Sequence, residues 1–168
     1  MRPLTMYRAV LAAALVALTL SGYSIAQDVP ESPTPDRALS FYVLDQPLRL
    51  LDTRVVDPCP VRPCGLPIQD GEARYIQAQL NASIPPGARA VVVTLTAVDA
   101  TSNGRLVLYN PQAGLPAVTS LSFGPGLASS AGATSALGVL PHPDLAVWAR
   151  VSGGGTVHVI IDVVGYFQ

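Results

Sequence analysis

Apolar and polar positions alternate with a period of two along much of the chain beyond residue 39. Ile76, Ala78 and Leu80 fall on one side of Arg74–Leu80, with Tyr75, Gln77 and Gln79 on the other. Successive side chains of a strand point to opposite faces, so this pattern predicts a half-buried strand. Ala90–Val98 repeats it with β-branched residues: Val91, Val93, Leu95 and Ala97 share a face opposite Thr94 and Thr96. Leu145–Val151 does the same, with Leu145, Val147, Ala149 and Val151 together. Thr156–Phe167 is the longest and most continuously apolar segment, as expected of a strand covered on both faces. Further strands are predicted at Phe41–Leu44 and Leu48–Arg54, split by Gln46-Pro47, and at Arg105–Asn110, with Leu106 and Leu108 inward. Ala117–Phe123 and, more weakly, Ala133–Leu140 complete the set. No window carries a helical period.

Turn-forming residues punctuate these segments. Thr101-Ser102-Asn103-Gly104 suits a hairpin turn, because Asn-Gly tolerates positive φ. Asn110–Gly114, the Gly- and Ser-rich stretch Gly124–Gly132, Pro141 with Pro143, and Ser152–Gly155 mark the other breaks. About nine strands, with turn signals roughly every 8–12 residues, predict an all-β fold of two packed antiparallel sheets. A jelly-roll or Ig-like β-sandwich fits this spacing, and a partly closed β-barrel is the alternative.

The N-terminal pattern differs. Arg2 and Arg8 precede the uncharged apolar run Ala9–Leu20, and Ser24-Ile25-Ala26 places small residues where a signal peptidase cuts. Residues 1–26 are therefore expected to be a signal peptide cleaved after Ala26. The apolar run is shorter than the ~20 residues a bilayer-spanning helix needs. No Cys lies near the cut to carry a lipid. Gln27–Arg37, with Pro30, Pro33 and Pro35 among polar residues, is expected to be a disordered spacer. Residues 39–168 then form a single domain in a secreted or cell-envelope protein.

Five segments together resemble a known module: "LRLLDTR" at Leu48–Arg54, "AVVVTLTAV" at Ala90–Val98, "GRLVLYN" at Gly104–Asn110, "TSLSFG" at Thr119–Gly124 and "GGTVHVIIDVVGYF" at Gly154–Phe167. In this order they are similar to the β-rich extracellular module, often tandem, of actinobacteria, Chloroflexi and related bacteria. Its copies run from an "RLLDTR" strand to a closing "DVxGYF" strand. The resemblance covers about residues 48–168. It implies a domain appended to secreted hydrolases and surface proteins, or set in arrays, with no catalytic residues of its own. This chain departs from the pattern by holding one copy. Thr94, Ser120 and Ser122 stand where many copies carry Asn, and residues around Cys59–Cys64 are inserted after the first motif.

Charge narrows the function. Beyond Ala26 there are eight Arg, nine Asp, two Glu and no Lys, a formal charge of −3. Every positive charge is thus a guanidinium, suited to bidentate pairing with carboxylates. No basic run supports nucleic-acid binding. Cys59 and Cys64, with four residues between them that include Pro60 and Pro63, are expected to form a structural disulfide outside the cytoplasm. The small ring contributes roughly 2 kcal/mol or less, confined to one loop. The spacing departs from a redox pair, and no His or second Cys pair is near enough in sequence to complete a zinc site.

The charges inside the two signature strands are Asp52, Arg54 and Asp162. A carboxylate in an apolar strand needs a partner, so Arg54 is expected to pair with Asp162, with Asp52 capping a turn through backbone amides. A calcium site on Asp52 and Asp162 would need several more oxygen ligands; no metal or cofactor is expected. His142 lies between prolines, and His158 lies mid-strand. No nucleophile elbow or phosphate loop accompanies them. Trp148 shares a strand face with Ala146 and Arg150. It is either a platform for a sugar ring, with Arg150 donating hydrogen bonds, or a packing residue of the second sheet. Asn81-Ala82-Ser83 matches a glycosylation acceptor, taken as chance in a bacterial-looking chain. The expected function is non-catalytic binding or display, with cell-wall glycan or another surface protein as partner. A small secreted hydrolase and a self-assembling surface protein are the alternatives.

Overall fold

Val91, Val93, Leu95 and Ala97 are all buried, and the Thr side chains between them are half-exposed. The period of two therefore places one face of this strand against a core, and the same rule builds the rest. The computed structural model describes residues 38–55 and 65–168. Among these it holds nine strands: β1 (Phe41–Asp52), β2 (Ile68–Gln69), β3 (Ala73–Ile76), β4 (Ala90–Val98), β5 (Gly104–Tyr109), β6 (Leu121–Phe123), β7 (Ser129–Ala136), β8 (Leu145–Val151) and β9 (Thr156–Phe167). The expected signal peptide, the spacer Gln27–Arg37, and Cys59 and Cys64 lie outside the described residues.

The strands form two antiparallel sheets that do not close into a barrel. The first has the order β1-β9-β4-β7, with β2 added to the start of β9; the second has the order β3-β8-β5-β6. Side chains from both enter one core, including Leu51, Leu95 and Ile161 from the first sheet and Leu106, Val147 and Val151 from the second. This is a β-sandwich, in which burial of the two inner faces is the main stabilising contribution at about 25 cal/mol per Å² of apolar surface. β9 occupies the centre of the first sheet, between β1 and β4. Its inner residues Val157, Val159, Ile161 and Val163 are fully buried, and Ile160 on the other face is buried too.

Several expectations are corrected. Phe41–Leu44 and Leu48–Asp52 belong to one long strand, β1, whose register against β9 shifts between Val43 and Leu48, while Thr53 and Arg54 form the turn beyond it. A bulge absorbs Gln46-Pro47 because a proline at a sheet edge forfeits no ladder bond. Arg74–Leu80 is a strand only to Ile76; Ala78–Leu80 form a short 3-10 turn. The turn is held by the fully buried Asp144, whose Oδ1 and Oδ2 accept the Ala78 and Gln79 amides at 2.6 and 2.9 Å. Thr101–Gly104 is not a hairpin, since β4 and β5 lie in different sheets. The positive φ there belongs to Asp99. Gly104 is needed for space instead: a Cβ would lie 2.4 Å from the Phe123 ring. The strand expected at Ala133–Leu140 begins earlier, at Ser129, inside the stretch expected to break the pattern. All eight residues of β7 pair with β4; small side chains suffice for an edge strand whose bonds come from its neighbour. Ala117–Phe123 shortens to Leu121–Phe123.

Candidate functional site

The signature strands build a closed ionic knot on the outer face of the first sheet. β1 and β9 are antiparallel neighbours in a register that sets Arg49 opposite Asp162. Arg49 donates to Asp162 through Nε at 2.5 Å and Nη2 at 3.2 Å, and to Asp52 through Nη1 at 3.0 Å. Arg54 donates to Asp52 through Nε at 2.9 Å and Nη2 at 2.8 Å, and its own amide reaches Asp52 Oδ1 at 3.1 Å. The expected pairing of Arg54 with Asp162 is thus replaced by Arg49–Asp162 and Arg54–Asp52. Alternation explains the exchange: the side chain directly across from Asp162 in the ladder is Arg49, while Arg54 follows the strand's end and turns back on its neighbour. Asp52 does cap a backbone amide, as expected.

The Arg54 guanidinium holds the Asp52 carboxyl below the usual carboxylate range, helped by the Arg54 amide and by Arg49. Reciprocally, Asp162 raises Arg49 and Asp52 raises Arg54. Both carboxylates are occupied by guanidinium groups. Thr53, between Asp52 and Arg54 in the "LDTR" turn, is buried; its hydroxyl accepts the Val159 amide at 2.9 Å and lies 2.9 Å from His158 Nδ1. The last signature glycine, Gly165, is required by close approach: a Cβ there would lie 2.5 Å from the Phe41 ring.

The outer face of the second sheet is built differently. Its strand registers create three rows. Tyr75, Ala146 and Tyr109 form one; Ala73, Trp148 and Val107 form the next; Arg150, Arg105 and Ser122 form the third. Val107, Tyr109 and Ala146 are buried there with Trp148 packed against them, a small apolar cluster separate from the main core. Burial raises the Tyr109 phenol above its usual value, and Tyr75 beside it adds to the effect. Tyr75 itself remains 54% exposed.

Trp148 thus packs on the second sheet while keeping part of its surface exposed. It is half-buried, and its indole N–H donates to the Gly71 carbonyl at 3.0 Å. Its ring is not isolated from charge: the Arg105 guanidinium carbon lies 6.0 Å from the ring centroid. Arg150 is exposed and reaches Asp70 Oδ2 at 3.4 Å, while Asp70 Oδ1 accepts the Val151 amide at 2.8 Å. Tyr75, Tyr109 and Arg105 were not foreseen as site residues. The period of two in Arg105–Tyr109 already sets Arg105 and Tyr109 opposite Leu106 and Leu108, but their juxtaposition with Trp148 and Arg150 depends on pairing with a strand some 40 residues later in the sequence.

Arg74, on the same face as Ile76 by alternation, is buried beside Val147 on the inner face. It donates through Nη1 to Glu72 and through Nη2 to the Pro67 carbonyl. Among the described residues, no group of three or more His, Cys, Asp or Glu is placed to hold a metal ion. No protein-family model, no curated protein and no solved structure matches this chain.

Proposed function

We propose that this chain is an exported, non-catalytic module that binds at the cell surface or outside the cell, and that its working surface is the outer face of β3-β8-β5-β6. One observation carries this reading. That face combines half-exposed and exposed aromatic rings, Trp148 and Tyr75, with two exposed arginines, Arg105 and Arg150. Flat aromatic faces stack on the C–H surface of sugar rings and also anchor protein partners, while guanidinium groups donate directional hydrogen bonds. The resemblance to the extracellular β-rich module supports the same placement. A hydrolytic reading lacks such support: the Thr53 hydroxyl, which lies against His158, is 1% exposed and already accepts the Val159 amide.

The test is retention of the purified protein on cell-wall preparations. Wild type should be retained, and Tyr75→Ala and Trp148→Phe should be retained several-fold less. Equal retention of all three would remove the aromatic face from the account.

A second reading, self-assembly, draws on β1. This edge strand leaves Phe41, Tyr42 and Val43 exposed, Val43 by 72%, and an uncovered apolar edge invites pairing with another strand. Light scattering decides it: a dimer or larger species that Val43→Lys dissociates would support assembly through this edge.

A further inference from the structure

We infer that the outer face of the second sheet binds a carboxylated polysaccharide, with Arg105 and Arg150 holding the sugar carboxylate and the Trp148 and Tyr75 rings providing the neighbouring apolar surface. The inference rests on the binding role proposed above and names the chemistry of the partner.

The argument starts from how the arginines are used. Arg49, Arg54 and Arg74 are each committed to a carboxylate within the fold. Arg105 and Arg150 are instead direct cross-strand partners between β5 and β8. Like charges facing each other across a ladder destabilise a sheet. In the free protein this juxtaposition is a cost; it becomes favourable when an anion lies between the two forks. Asp70 relieves it only in part. Its Oδ2 lies 3.4 Å from Arg150, and its Oδ1 is tied to the Val151 amide at 2.8 Å. Among the described residues no carboxylate pairs with Arg105, whose cross-strand neighbour on β6 is the exposed Ser122.

The remaining charge selects the ligand. Two guanidinium groups less one carboxylate leave about one positive charge, which matches a monoanionic carboxylate better than a dianionic phosphate monoester. A guanidinium fork binds a carboxylate through two parallel hydrogen bonds. The shape of the face selects a polymer. Two cavities among the described residues, of about 540 and 450 Å³, lie elsewhere, one lined by Tyr42–Gln46 with Ser83 and Tyr166, the other by Gln79, Pro86–Arg89 and Leu137–Leu140. The Arg105–Arg150 face lines neither of them, and an open sheet face suits a chain of sugars laid across it rather than an enclosed small molecule.

The experiment measures binding of the purified protein to polygalacturonate, its fully methyl-esterified counterpart and whole cell wall. Wild type should bind polygalacturonate and lose about tenfold or more on the neutral ester, the loss expected of charge-assisted hydrogen bonds. Arg105→Gln should weaken polygalacturonate binding by about tenfold with a urea midpoint that does not fall, and Arg105→Lys should fall between the two. Equal binding to the ester overturns the inference, as does unaltered binding by Arg105→Gln. Displacement by inorganic phosphate at lower concentration than by galacturonate overturns the choice of carboxylate. Cell-wall retention that is the same for wild type and Arg105→Gln defeats this inference and leaves the binding role standing. No retention of wild type on any wall or polymer defeats both.

Discussion

The two outer faces of the sandwich use the same residue type in opposite ways. On the first sheet, Arg49 and Arg54 interlock with Asp52 and Asp162, so that each charge meets an opposite one. On the second, Arg105 and Arg150 face each other, and among the described residues the carboxylate in reach belongs to Asp70, at 3.4 Å from Arg150. The contrast separates two jobs. Paired charges in the signature strands fix the register of β1 against β9 and close the "LDTR" turn. Like charges left facing each other on an aromatic-bearing face are engaged only in part, Arg150 by Asp70 and Arg105 by the Trp148 ring, and their further use lies in what they can bind.

The sharpest way to break this contrast is to remove charge from the first sheet. Asp52→Ala should cost about 2 kcal/mol, because the side chain is 5% exposed and accepts from two guanidinium groups and an amide. A lower urea midpoint at unchanged slope is the expected result. On the second sheet stability should come from aromatic packing rather than charge. Trp148→Ala should cost up to about 2 kcal/mol through lost cover over Val107 and Ala146 and loss of the bond to the Gly71 carbonyl. Trp148→Phe should cost less than half as much.

Acid should act on the first face through Asp52. The Asp52 carboxyl is held below its unfolded value of about 3.9. Its contribution is therefore complete above that value and is lost as pH falls toward its folded value. Stability of wild type should drop below about pH 4, and Asp52→Asn should flatten part of that drop. Alkali should act on the second face. The Tyr109 phenol is raised, so the stability it carries is complete below its unfolded value of about 10 and declines as pH rises past it. Tyr109→Phe should remove that portion of the alkaline loss. The smallest effect is the most telling: Arg105→Gln should change stability by no more than about 0.5 kcal/mol, in the direction of a gain, because it relieves the repulsion with Arg150.

The fold was largely legible where side chains alternate against a single core. Ala90–Val98, Leu145–Val151 and Thr156–Phe167 coincide with β4, β8 and β9. It was less legible where local signals compete with the partner strand. Asn103-Gly104 has hairpin chemistry, yet the chain crosses between sheets there, because the residues after it pair with β8 and β6 and not with β4. Ser129–Ala136 has little strand propensity and becomes a strand through its ladder with β4. The candidate site shows the same limit. Trp148 and Arg150 share a face by local alternation alone. Arg49 as the partner of Asp162, and Arg105 as the neighbour of Arg150, both arise from the register of strands far apart in sequence. No local window holds that information.

Site-resolved rates of arginine modification by phenylglyoxal, followed by mass spectrometry on the folded protein, test the contrast most directly. Arg105 should react several-fold faster than Arg49 and Arg54, whose guanidinium groups are engaged by Asp52 and Asp162. Modification of Arg49 and Arg54 at the rate of Arg105 would contradict it.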